Sequence, residues 1–91
     1  MTKPYKQKNI NREEFIRVFK SSVDPAELIW HRDRNTRVIE VLEGEGWQFQ
    51  YERDIPIELR KGLTFTVPKE AYHRLIIGAT ELRLRIKELD E

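Results

Sequence analysis

From Leu28 to the C-terminus, apolar and polar side chains alternate with a period of two, interrupted by glycine, proline or charged turns. Ile29, His31 and Asp33 fall on one side, and Leu28, Trp30 and Arg32 on the other. After an interruption at Asn35-Thr36, Arg37, Ile39 and Val41 alternate with Val38, Glu40 and Leu42, and Gly44-Glu45-Gly46 supplies a turn. Trp47, Phe49 and Tyr51 then alternate with Gln48, Gln50 and Glu52. Ile55, Ile57 and Leu59 make another strand, closed by Lys61-Gly62, and Phe65 and Val67 alternate with Thr64 and Thr66 up to Pro68. Tyr72 to Ile77 and Glu81 to Lys87 complete the pattern, the last with Leu82, Leu84 and Ile86 inward and Arg83, Arg85 and Lys87 outward. About seven short strands at this spacing predict an all-β sandwich or barrel.

The beginning of the chain reads differently. Met1 to Asn9 is a polar, lysine-rich arm. Asn11 suits the cap of a short helix, with Glu13 and Glu14 in its first turn and Phe15, Ile16 and Phe19 on one face. Asp24-Pro25, followed by Glu27, resembles a second helix start, held to one turn because strand-like alternation follows at once. The expected division is residues 1–25 as a helical or extended arm packed outside, and residues 26–91 as the β domain.

Ninety-one residues make one domain with one modest core. With 17 basic and 16 acidic side chains, the net charge is +1 and no basic stripe separates out, so no nucleic-acid footprint is expected. No apolar run is long enough to span a bilayer, and the N-terminus lacks the apolar core of a signal peptide, so the expectation is a cytoplasmic protein without membrane contact. The chain has no cysteine, which rules out disulfides and thiolate zinc sites as props for a small core. A metal site of histidine and carboxylate ligands, or a partner chain, remains. Trp30, Trp47 and Phe49 place apolar surface on both faces of strands, and a homodimer is the expected cover.

The chain has two histidines, both on predicted strands. His31-x-Asp33 sets an imidazole and a carboxylate on one face of one strand, and His73 lies on another, after Pro68. Where those faces meet, two imidazoles and one carboxylate form a set suited to a divalent metal with open positions. Spacing alone leaves the alternative of packed, hydrogen-bonded histidines open. No Ser/His/Asp arrangement, phosphate-cradling glycine loop or paired-carboxylate device stands out.

The spacing of these residues resembles the two motifs of the cupin family, G-x(5)-H-x-H-x(3,4)-E-x(6)-G and G-x(5)-P-x-G-x(2)-H-x(3)-N. His31-x-Asp33-x(3)-Arg37-x(6)-Gly44 holds the first from its first histidine onward, and Gly62-x(5)-Pro68-x-Glu70-x(2)-His73-x(3)-Ile77 holds the second throughout. The resemblance covers Ala26 to Leu89 and implies a small double-stranded β-helix barrel. It implies metal ligation by His31 and His73, with Asp33 at the second histidine position and Arg37 at the glutamate position. Pro25 takes the first motif's leading glycine, and Glu70 and Ile77 take the second motif's glycine and asparagine. Arginine cannot ligate a metal, so His31, Asp33 and His73 are the expected ligands for zinc, iron, nickel or manganese.

Arg37 then has two readings: a fixed cation for a small polar or anionic ligand, or a salt-bridge partner that neutralises Asp33. Gln48 and Gln50 line the pocket in one register of their strand; in the other, Trp47, Phe49 and Tyr51 are core and both amides are solvated. Three functions follow: a metal-dependent enzyme, a metal-free binding module at the same barrel mouth, or a dimeric interaction protein.

Overall fold

Leu82, Leu84 and Ile86, the most regular alternation in the sequence, lie in the central strand and are at most 3% exposed, while Arg83, Arg85 and Lys87 face out. The structure, a computed structural model, describes residues 3–23 and 28–89, which form eight strands and no helix. They are β1 (Lys6–Asn9), β2 (Glu14–Phe19), β3 (Arg37–Glu43), β4 (Gln48–Tyr51), β5 (Ile57–Glu58), β6 (Thr64–Val67), β7 (His73–Ile76) and β8 (Leu82–Glu88). Two antiparallel sheets result, a five-stranded one in the order β1-β2-β8-β3-β6 and a three-stranded one in the order β5-β4-β7. The all-β expectation holds. With no helix among the described residues, none is long and apolar enough to cross a membrane.

The core fills the space between the inner faces of the two sheets. Phe19 of β2 meets Trp47 at 6.0 Å between ring centroids, and Phe49 of β4 meets Phe65 of β6 edge-on at 5.0 Å. Trp47 is fully buried and Phe49 nearly so, which settles the register of β4: the aromatic side chains point inward. Two of the side chains that argued for a partner chain are therefore covered within one chain. The third, Trp30, lies under the Arg74 guanidinium at 4.8 Å.

The N-terminal helix is corrected to a strand. The Asn11 side chain accepts hydrogen bonds from the backbone N–H groups of Glu13 and Glu14, both at 2.9 Å, much as a helix cap does. Here that arrangement closes the turn between β1 and β2. All six residues of β2 pair with β8, from Glu14 opposite Lys87 to Phe19 opposite Leu82, and an Arg85–Glu14 ion pair at 2.8 Å fastens the outer face. Sheet pairing outweighs the local cap. Phe15 and Phe19 are buried, and Arg17 between them also points inward.

Two further expectations change in detail. The run from Leu28 to Asp33 is mostly irregular and touches the sheet through one isolated bridge at His31. The strand expected over Ile55 to Leu59 shortens to β5, because Pro56 offers no N–H to a ladder and Ile55 is 83% exposed. The Asp24-Pro25 helix start and the boundary between residues 25 and 26 lie outside the described residues.

Candidate metal centre

His31 and His73 meet because their backbones exchange both hydrogen bonds, N to O at 2.9 Å each way. A hydrogen-bonded antiparallel pair sets its two side chains on the same face. Their rings accordingly lie 4.4 Å apart, edge to face. On its other side His73 stacks on Phe49 at 5.1 Å, and it is 5% exposed, whereas the His31 side chain is half exposed.

Each imidazole is oriented by its own strand. His31 Nδ1 lies 3.0 Å from Ile29 O and His73 Nδ1 lies 2.8 Å from Ala71 O. A carbonyl only accepts, so in the neutral ring Nδ1 carries the proton and Nε2 keeps its lone pair. Both Nε2 atoms face Asp33: His73 Nε2 is 3.4 Å from Oδ2 and His31 Nε2 is 3.9 Å from Oδ1. Burial holds the His73 pKa below the usual histidine value, reinforced by His31 and Arg37 and opposed by the Ala71 hydrogen bond and Asp33. The neutral form that ligation needs is thus favoured.

Arg37, the first residue of β3, closes the cluster from the other side. Its Nη1 is 3.3 Å from Asp33 Oδ1 and its Nη2 is 3.5 Å from Glu88 Oε1, the residue opposite it on β8. Its Nε is buried with no hydrogen-bond partner among the described residues. The salt-bridge reading of Arg37 thus matches the geometry, with Asp33 shared between the arginine and both histidines.

Do the donors fit an ion? Ligands about 2.0–2.2 Å from a zinc-sized ion lie on the order of 3.0–3.5 Å from one another. The His73–Asp33 gap of 3.4 Å meets that spacing, and all three donor atoms lie within 4.8 Å of one another. The carbonyl behind each imidazole is the outer support that metal-bound histidines usually have. The set fits a divalent ion after a small contraction around His31.

The cluster opens into a cavity of about 330 Å³ between the sheets, walled by apolar side chains such as Ile39, Phe65, Leu75 and Leu84. Gln48 and Gln50 do not line it, a correction that follows from the register of β4. Gln50 instead accepts a hydrogen bond from Arg74 Nε and donates one to Asp54 O, both at 2.9 Å. Sequence reasoning missed Glu88 and Arg17, which join or line this region. Glu88 continues the inward set Leu82, Leu84, Ile86, so its signal was present.

The turn before β7 preserves a feature of the second motif. Glu70, standing at the glycine position, has φ of 66°, the left-handed conformation that favours glycine. Its backbone N–H donates to Asp33 O at 2.8 Å, tying that turn to the cluster.

No family model matches the chain, and no curated protein matches it in sequence. Solved structures do match in shape. A cupin domain from Bordetella pertussis Tohama I superposes with a TM-score of 0.64 at 18% identity, over 99% of both chains. A structure of DMSP lyases gives 0.72 at 16% identity, over 85% of this chain and 37% of that one. A structure of FeII HppE gives 0.65 at 16% identity, over 84% of this chain and 42% of that one. The chain therefore spans about a third to a half of the length of the DMSP lyase and HppE chains. It has the fold of a small cupin.

Proposed function

We propose that this chain is a small metal-binding cupin in which His31, Asp33 and His73 hold one divalent ion at the head of a largely apolar cavity. The observation that carries the reading is the pair of Nδ1 contacts to Ile29 O and Ala71 O, which turn both Nε2 lone pairs towards the Asp33 carboxylate. Two imidazoles and one carboxylate suit iron, zinc, nickel or manganese and leave coordination positions free for a small ligand. When bound, such an ion supplies Lewis acidity or an activated water or dioxygen. The iron in HppE, a chain of similar fold, is consistent with this reading.

The residues around the ion have separate tasks. Phe49 fixes the plane of His73 by stacking and keeps water from its buried side. Arg37 orients Asp33 and lowers the charge of the pocket, with Glu88 anchoring its far Nη2. A second reading, a metal-free ligand-binding barrel, is favoured by one distance, the 3.3 Å contact between Arg37 and Asp33.

Calorimetric titration with zinc, ferrous, nickel and manganese salts separates the two. The expected result is one ion per chain, a melting temperature that falls with chelator, and loss of both effects in His73→Ala. A melting temperature indifferent to chelator and to all four metals would leave the metal-free reading.

A further inference from the structure

We propose that Arg17 is the anion anchor of the cavity, gripping the carboxylate of a small aliphatic acid whose other end reaches the His31–Asp33–His73 cluster. The placement of that other end rests on the metal-binding reading; the anchor itself does not. The case begins with β2, where Phe15, Arg17 and Phe19 share the inward face and the two phenylalanines are buried. A guanidinium in the middle of such a face loses solvent, and burial accordingly pulls its pKa below the usual arginine value. The group remains a cation, and a desolvated cation calls for a counter-charge.

Among the described residues no carboxylate pairs with it. Arg17 Nε donates to Gln7 Oε1 at 2.9 Å, and the guanidinium carbon lies 4.0 Å from the Tyr5 ring centroid and 4.9 Å from that of Phe15. These contacts hold the group by one nitrogen and its faces. Nη1 and Nη2 donate to no group of the described residues, and Asp33 and Glu88 act on Arg17 only at a distance. Arg37 differs: its charge is met by Asp33 and Glu88. Arg17 lines the same cavity as the two histidines.

Two adjacent N–H donors on a planar fork match a carboxylate. One positive charge unpaired among the described residues calls for a monoanion, since a phosphate dianion would need the second cation that Arg37 has already committed. Between Arg17 and the cluster the walls are apolar, beginning with Leu84, the residue opposite Arg17 on β8. That stretch accepts a hydrocarbon body. At about 330 Å³ the cavity is near the small end of ligand sites, which limits the acid to a short chain.

Calorimetry of the full chain against acetate, butyrate and hexanoate, with hexanamide and inorganic phosphate as comparisons, tests this. Hexanoate should bind tightest of the three acids, and hexanamide and phosphate at least about tenfold more weakly. Arg17→Gln should lose at least about tenfold in hexanoate affinity while its zinc affinity stays within about twofold. Arg17→Lys keeps the charge and most of the stem, and should fall between; if Arg17→Gln does not fold, this variant's loss for hexanoate, with none for hexanamide, decides. Hexanamide or phosphate binding as tightly as hexanoate, or variants binding hexanoate as well as the parent, would overturn the proposal. Hexanoate binding that depends on Arg17 in a protein that takes up no zinc, iron, nickel or manganese would keep the anchor and discard the metal.

Discussion

Strand β8 runs between two ends of the same inter-sheet space, and the two ends are built differently. At its Leu82 end, Trp47 is fully buried, its Nε1 donates to Thr80 O at 2.6 Å, and Phe19 and Leu82 close around it. A Cβ on Gly78 would lie 2.3–2.5 Å from Trp47 and from Glu45 O, so even a methyl group has no room. At the Glu88 end, a carboxylate, two imidazoles and a guanidinium stand 3.3–3.9 Å apart beside a cavity, mostly too far for good hydrogen bonds. One buried donor, Arg37 Nε, is unmet among the described residues. The filled end is closely packed. The open end keeps polar groups under-satisfied, which a fold tolerates where a ligand completes them.

The sharpest way to break this contrast is to empty the filled end. Trp47→Ala should cost about 3–5 kcal/mol of unfolding free energy in urea titrations, and Gly78→Ala about 1–3 kcal/mol through overpacking. Costs below about 1 kcal/mol for both would mean that this end is no better packed than the cavity.

Arg37→Met probes the open end. It removes the cation that competes with an ion for Asp33, so zinc affinity should rise by about tenfold or more. The metal-free protein should lose about 2 kcal/mol, because Asp33 and Glu88 then lose the cation they share. Saturating zinc should restore most of that loss. Unchanged zinc affinity in this variant would show that the arginine does not compete for the carboxylate.

Acidification tests the same end more gently. His73 is folded with its pKa held below the ordinary 6.5, chiefly by burial, so the unfolded chain binds the proton more readily. The stability from its neutral form is complete above about pH 6.5 and is lost as pH falls from there through the folded pKa. The melting temperature of the metal-free protein should therefore drop more steeply below pH 6.5 than that of His73→Leu. Parallel curves for the two proteins would remove His73 as the acid-sensitive group.

The difference between the ends also explains what the sequence revealed. Strand alternation is legible wherever an inward face is purely apolar, as in Leu82, Leu84 and Ile86. It fails where a charged residue occupies an inward position. Arg17 breaks the apolar face of β2, and the remaining Phe15, Ile16 and Phe19 then imitate a helix. The inward face of β4 was ambiguous for another reason: alternation states which residues share a face but not which face is buried, and only packing against Phe19 and Phe65 decides it. The spacing of His31, Asp33, Arg37 and His73 was legible, because the turns that set it are local. Glu88 and Arg17 reach the same region only through pairing between distant strands.

Glycine use gives the smallest test of the comparison. At the filled end Gly78 is held by contact, since any side chain collides with Trp47. At the open end the position is held by conformation, and Glu70 occupies it with φ of 66°. Left-handed backbone costs a residue with a Cβ about 1–2 kcal/mol, and glycine there gives back about 0.4–1 kcal/mol through the freer unfolded chain. The Arg32–Glu70 ion pair at 3.4 Å joins two largely exposed side chains and adds little. Glu70→Gly should therefore stabilise the domain by about 0.5 kcal/mol in urea titrations, while Gly78→Ala destabilises it. The backbone hydrogen bond from residue 70 to Asp33 O needs no side chain, so zinc affinity should be unchanged. A loss of stability in Glu70→Gly would mean that the glutamate side chain, and not the backbone turn, holds this edge of the site.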